Sequence, residues 1–227
     1  MKPRVYGEVL KALLDELESV GYDRSRVLGL IEEYSWFMSE YSLLRALLRS
    51  RAPVDELKQC LEFYLVKRYE AVAEEVKPGS KVLDFGCGLG ILSYLLSEKG
   101  CEVYGVDVDE DSIRVAARLC TKCVFQVNKP NVIPFESSKF DYVVFSWVLH
   151  DIGLDKSESI VSECRRVLRE EGRVIVIDLG TRLDFKQLHK LMEKHSLWKV
   201  KEVVVGGVCE LPKLTASNAV LAVYQKK

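Results

Sequence analysis

The stretch Lys81-Val-Leu-Asp-Phe-Gly-Cys-Gly-Leu-Gly90 constrains this chain more than any other. Lys81 to Phe85 reads as a short buried strand, Gly86 to Gly90 as a glycine loop, and Ile91 to Glu98 as the helix that the loop opens into. Glycines let a backbone turn sharply and approach a ligand closely, and a helix N-terminus presents unpaired N–H groups. The segment therefore predicts an α/β unit that binds a nucleotide-like ligand at the end of its first strand.

Two acids narrow the ligand. Asp84 stands just before the loop, where a pyrophosphate would have to sit; a carboxylate repels a diphosphate and suits an ammonium group. The third glycine of a Gly-x-Gly-x-x-Gly fingerprint would fall at residue 91, which is Ile. Glu102-Val-Tyr-Gly-Val-Asp107 reads as a second strand ending in an acid placed to hold the two hydroxyls of a ribose. A ribose-bearing ligand with no phosphates and a cationic amino-acid end describes S-adenosylmethionine.

With those residues in place the chain resembles a class I S-adenosylmethionine-dependent methyltransferase of the small-molecule type. The resemblance is carried by Val82–Gly90, Gly105–Asp107, Ile133-Pro-Phe135, Phe140–His150 and Arg166–Arg173, in the family's order. It implies a Rossmann-like seven-stranded sheet in the order 3-2-1-4-5-7-6 with an antiparallel last strand. The cofactor is then bound through Asp84 (methionine amino group), Gly86, Cys87, Gly88 and Gly90 (close backbone approach), Asp107 (ribose) and Val108 (adenine). Cys87 reads as a small loop residue rather than a nucleophile. Asn128 is the expected partner of the adenine amino group, with Asn131 as competitor, because the spacing to Pro134 is one residue longer than the family's.

Phe140 to Phe145 reads as the fourth strand, delivering Ser146 and Trp147 to the end where open parallel sheets bind ligands. Ser146 would offer its carbonyl to the cofactor. His150 and Asp151 follow, close to where a substrate meets the sulfonium. His150 is the candidate general base, needed only if the acceptor carries a proton of high pKa; its alternative is a structural cap. His189 and His195 read as surface residues.

Strands are predicted near 81–85, 102–107, 122–127, 140–146, 172–178, 199–205 and 218–224, with helices near 91–99, 110–119, 157–169 and 184–195. Residues 1–77 form a helical cap, separated by the linker Lys77-Pro-Gly-Ser80 from the methyltransferase domain at 78–227. Within the cap, Tyr34, Trp36, Phe37 and Tyr41, and more weakly Tyr6, are candidates for a lid over an apolar or aromatic substrate; packing onto the catalytic domain is the alternative.

Charges are nearly balanced, 33 basic against 34 acidic for a net of −1, which disfavours a general nucleic-acid binder. No apolar run approaches a membrane span, and the start does not read as a secretory signal, so a cytoplasmic location is expected. Of seven cysteines, Cys120 and Cys123 make a Cys-x-x-Cys with no second pair to complete a zinc set, so no metal is expected. Cys101 and Cys123 open neighbouring strands, which predicts a disulfide between them, with Cys120 as the alternative to Cys123. The expected activity is methyl transfer from S-adenosylmethionine to an O, N or C atom of a small molecule. A non-catalytic S-adenosylmethionine-binding subunit is the alternative, and a nicotinamide oxidoreductase is disfavoured by Asp84 and Ile91.

Overall fold

A seven-stranded sheet of order β3-β2-β1-β4-β5-β7-β6 organises the larger part of the molecule. The structure is a computed structural model that describes residues 3–34, 47–48, 51, 53–55, 57–58, 67–130, 132–210 and 215–227. The strands are β1 (Lys81–Phe85), β2 (Glu102–Asp107), β3 (Val124–Val127), β4 (Phe140–Ser146), β5 (Leu168–Leu179), β6 (Leu197–Glu210) and β7 (Thr215–Lys226). The helices are α1 (Pro3–Ser19), α2 (Arg24–Tyr34), α3 (Arg68–Glu75), α4 (Ile91–Glu98), α5 (Glu110–Leu119), α6 (Leu149–Ile152), α7 (Glu158–Val167) and α8 (Phe185–Lys194). Strands β3, β2, β1, β4 and β5 run parallel to one another, and β7 runs antiparallel to β5.

The central strands β1, β4 and β5 carry near-continuous apolar runs, as parallel strands covered on both faces do, whereas β3 at the sheet edge is largely exposed. Val82, Leu83, Val143, Val144, Phe145, Val174, Ile175, Val176 and Ile177 are all fully buried. Burying one such side chain contributes about 1.5–3 kcal/mol. The helices start where local chemistry allows. The Asp109 carboxylate accepts from Ser112 N at 3.0 Å to cap α5, and Asp184 accepts from Lys186 N and Gln187 N to cap α8.

Two compact units are distinguished, residues 1–65 with 208–216 and residues 66–207 with 217–227. In the first, Leu17, Val27, Leu30, Leu47 and Leu57 form a small core. Helix α3, which precedes the linker, groups with the second unit, where Tyr69, Val72 and Val76 are buried. Among the described residues no helix is long and apolar enough to cross a membrane.

The expected disulfide is corrected. Cys120 is bonded to Cys123, their Cα atoms 5.4 Å apart, and Cys101 is a free buried thiol beside Lys77 O at 3.5 Å. The register explains why. Tyr104 pairs with Val124, so Cys123 falls level with Val103 and Cys101 lies beyond it along the sheet. Strand β3 accordingly begins at Val124, after the turn that the disulfide closes. Strand β5 starts earlier than its sequence predicts, because Leu168 pairs with Phe140 before a register shift brings Arg173 opposite Tyr142.

Candidate functional site

The loop between β1 and α4 is laced to the end of β2. Gly86 N and Cys87 N both donate to Val106 O, at 2.8 and 3.0 Å, so these two N–H groups are spent on the fold. Gly86 and Gly90 have φ of +73° and +79°, a region open to glycine at little cost. A Cβ at Gly86 would lie 2.5 Å from a Val148 methyl, and one at Gly90 would lie 2.7 Å from Ala116 Cβ. Gly88 instead faces open space. Its N–H donates to Asp107 Oδ2 at 2.8 Å, while Asp109 N donates to Asp107 Oδ1 at 3.0 Å. The carboxylate is thus held by one backbone donor on each oxygen, and each oxygen keeps acceptor capacity for a vicinal diol.

Beside it is a cavity of about 470 Å³ at the C-terminal ends of β1, β2 and β4. Of the residues expected at a cofactor, Gly86, Asp107, Val108 and Asn128 line it; Phe85, Trp147, Val148 and Ile152 complete an apolar wall, and Asp151 and Lys156 add charge. Val108 is 59% exposed, an apolar surface open to a planar ring. Asn128 is buried, and its Nδ2 donates to Val132 O at 3.0 Å, yet its Oδ1 has no partner. A buried acceptor left unsatisfied costs about 1–3 kcal/mol, so this oxygen is set for a donor from outside the chain. Asn131, its competitor, lies outside the described residues, as do Trp36, Phe37 and Tyr41 and the side chains of Tyr6 and Tyr34.

Asp84, Cys87, Gly88, Gly90, Ser146 and His150 are not in the cavity wall. Asp84 is 1% exposed, and its Oδ2 accepts from Ser93 Oγ at 2.7 Å. Burial pushes its pKa up to about 6, against the opposing Ser93 hydrogen bond, with the Asp107 charge adding to the rise. The Cys87 thiol is buried and its pKa is driven up by desolvation, the opposite of an activated nucleophile. Ser146 Oγ is buried without a partner.

Trp147 follows β4 at φ +59°, an uncommon conformation for a side chain of its size, pinned by its N–H to Ile177 O at 2.9 Å. The Arg68 guanidinium stacks 4.3 Å from its ring and 4.2 Å from that of Tyr69. Arg68 is buried on α3, and its charge opposes the rise in the Asp84 pKa. In the sequence it carries no signal, because an Arg in a helical stripe reads as a solvated face.

His150 turns toward β5. Its backbone N and its Nδ1 bond to the two oxygens of fully buried Asp178, at 3.2 and 2.6 Å, and Leu179 N also donates to Asp178 Oδ1. Its Nε2 lies 3.1 Å from Arg182 Nη1 and 3.2 Å from Asp151 Oδ1. The Asp178 hydrogen bond raises the His150 pKa above the usual value, against partial desolvation. His189, expected at the surface, is half-buried and bonds Tyr224 Oη at 2.8 Å.

Residues 83–176 match the model of a methyltransferase domain family. An uncharacterized methyltransferase of Synechocystis is 31% identical over 104 residues, 46% of this chain and 49% of that one. The chloroplastic 2-phytyl-1,4-beta-naphthoquinone methyltransferase of Arabidopsis thaliana is 33% identical over 115 residues, 46% of this chain and 43% of that one. The chain thus aligns with about half the length of these relatives. Among solved structures, a SAM-dependent methyltransferase of Methanosarcina mazei superposes with a TM-score of 0.61 at 18% identity, over 69% of this chain and 96% of that one. A protein of Pyrococcus horikoshii gives 0.60 at 24% identity, over 73% and 90%. At these identities the two structures speak for the fold alone.

Proposed function

We propose that the chain, whose residues 83–176 match a methyltransferase domain family, transfers a methyl group from S-adenosylmethionine to an O, N or C atom of a small molecule. The observation that carries this reading is the unpartnered Oδ1 of buried Asn128 in the same cavity wall as Asp107. An acceptor for an exocyclic amine and an acceptor for a diol, with apolar Val108 exposed in the same wall, are what an adenosine requires. Phosphate is disfavoured, because Asp84 and Asp107 flank the loop and the N–H groups of Gly86, Cys87 and Gly88 are already donated within the chain.

When bound, S-adenosylmethionine supplies an electrophilic methyl group on a sulfonium. The chain's own residues hold, orient and shield. In this reading Asp107 takes the ribose hydroxyls, Val108 and Ile152 enclose the adenine, and Asn128 Oδ1 accepts from its amino group. Asp84 supplies a buried negative charge for the methionine ammonium, and of the loop residues Gly86 stands in the cavity wall, where its backbone meets the cofactor. His150, fixed as the Nδ1–H tautomer by Asp178, presents Nε2 as the basic nitrogen for an acceptor that must lose a proton. Excluding water and aligning the acceptor do the remainder. The name of the Arabidopsis relative gives a naphthoquinone as its substrate, which supports a small conjugated acceptor here.

Thermal shift tests the cofactor. A ligand of the folded state at a hundred times its dissociation constant adds roughly 2.7 kcal/mol. S-adenosylhomocysteine should give such a shift and NAD none. Asp107→Ala and Asn128→Ala should each weaken it, Asn128→Ala by roughly 5–150-fold in affinity for a lost buried bond of about 1–3 kcal/mol. Stabilisation by NAD in place of S-adenosylhomocysteine would overturn the reading.

A further inference from the structure

His150 has two possible partners on its free ring nitrogen, and they suit different protonation states. Asp178 is a carboxylate with no exposed surface and accepts at Oδ1, so the proton on Nδ1 is fixed. When the ring is neutral, Nε2 can only accept, and Arg182 Nη1 donates to it at 3.1 Å. When the ring is protonated, Nε2 donates, and Asp151 Oδ1 at 3.2 Å receives it. The base therefore has its product state prepared on one side and its resting state capped on the other. The cap is exposed: Arg182 lies on the turn after β5, its backbone anchored by Arg182 N to Leu179 O at 3.0 Å and by buried Leu183, while its long side chain faces solvent. The His150 side chain beneath it is only 7% exposed. An acceptor that reaches Nε2 must take the place of the guanidinium without driving it far.

We propose that Arg182 determines acceptor class: it yields Nε2 of His150 to the hydroxyl of a phenol or enol and then holds the oxyanion, so that hydroxyls on conjugated carbon are methylated and amines are not. The proposal rests on the methyltransferase reading above and names the acceptor for that site. A guanidinium keeps its charge at every working pH and donates only. It repels an ammonium, and a neutral amine offers it no negative charge. Opposite an oxygen that is losing its proton, it supplies a charge-assisted hydrogen bond where charge develops. Conjugation matters because the hydroxyl must be acidic enough for an imidazole to deprotonate; an alkyl alcohol is not. The step balances. The hydroxyl proton passes to His150 Nε2, where the new N–H donates a hydrogen bond to Asp151; the freed oxygen pair forms the O–CH₃ bond, and the C–S pair leaves on sulfur as S-adenosylhomocysteine.

The test uses the whole chain saturated with S-adenosylhomocysteine and 4-nitrophenol as probe, whose ionised form alone is yellow. Binding should favour the phenolate over the phenol by about 10–100-fold, the range of one charge-assisted bond, read as a fall of about one to two units in the pH at which the bound probe turns yellow. Arg182→Lys should keep part of that fall and Arg182→Ala should lose it, both with unchanged affinity for S-adenosylhomocysteine. Benzylamine, an ammonium of similar size, should not bind. An unshifted probe, a shift retained in Arg182→Ala, or benzylamine bound as tightly as the phenol would overturn the proposal. If S-adenosylhomocysteine itself fails to bind the wild type, the methyltransferase reading falls, and the proposal with it.

Discussion

Lowering the pH should weaken cofactor binding through Asp84. Burial lifts this carboxyl from 3.8 to about 6, which corresponds to roughly 3 kcal/mol at 1.36 kcal/mol per unit. The sign follows from the direction of the shift. The folded-state pKa is raised, so the stability this group contributes is fully present below the unfolded value of 3.8 and is lost as pH rises through about 6. A ligand ammonium reverses the preference, because it binds the ionised form. The binding-competent fraction is then about one-tenth at pH 5 and nearly one at pH 7.5, and the apparent dissociation constant scales as the inverse of that fraction. S-adenosylhomocysteine should therefore bind about tenfold more weakly at pH 5 than at pH 7.5, by titration calorimetry with the ionic strength fixed. Asp84→Asn should bind weakly at both pH values and lose most of the slope. An affinity that stays flat from pH 5 to 7.5 in the wild type, or the full slope surviving in Asp84→Asn, would refute the assignment of the ammonium to Asp84.

Three further outcomes follow from the geometry. Gly90→Ala combines φ +79° with a Cβ 2.7 Å from Ala116 Cβ, so it should cost more than the roughly 1 kcal/mol of an unclashed left-handed alanine; Gly88→Ala, in open space, should cost no more than that by urea denaturation. His150→Ala should leave S-adenosylhomocysteine affinity nearly unchanged and slow transfer by roughly 10²–10⁴-fold, and the wild-type rate should rise with pH through a value above 6.5, in keeping with the raised His150 pKa; the pairing with Asp178 stabilises the fold fully below that unfolded value and fades as pH passes the raised one. Mass spectrometry of unfolded, unreduced protein should find Cys120 and Cys123 protected and Cys101 alkylated, and reducing this four-residue loop should cost about 2 kcal/mol.

The cofactor half of the candidate site has a local signature in the sequence because each of its parts is a backbone event. Strand, glycines and strand-end acids follow one another within the span Lys81–Asp107, and the apolar runs and turn residues gave the strand positions around them. Asn128 stands out in the sequence in the same way, as a polar residue just past β3, and the structure leaves its Oδ1 buried without a partner. The acceptor half has no such signature. Asp178 lies 28 residues from His150, and its burial depends on β4 and β5 being neighbours in a register that no local pattern states. Arg182 reads as an ordinary charged turn residue until Nε2 is found beside it, and Arg68 as a helix-face charge until Trp147 is found under it. The disulfide failed on register too: adjacency of β2 and β3 was foreseen, but the offset that leaves Cys101 beyond the level of Cys123 was not.

Methyl transfer is decided by whether a methyl group leaves the cofactor. The protein would be incubated with S-adenosylmethionine carrying a trideuterated methyl group and a mixed pool of small phenols, enols, amines and quinols, and all products would be read by mass spectrometry. The expected result is S-adenosylhomocysteine formed together with a trideuteromethylated small molecule, both slowed by roughly 10²–10⁴-fold in His150→Ala. Tight binding of S-adenosylmethionine with no label transferred to any member of the pool would contradict it, and would favour a subunit that binds the cofactor without turning it over.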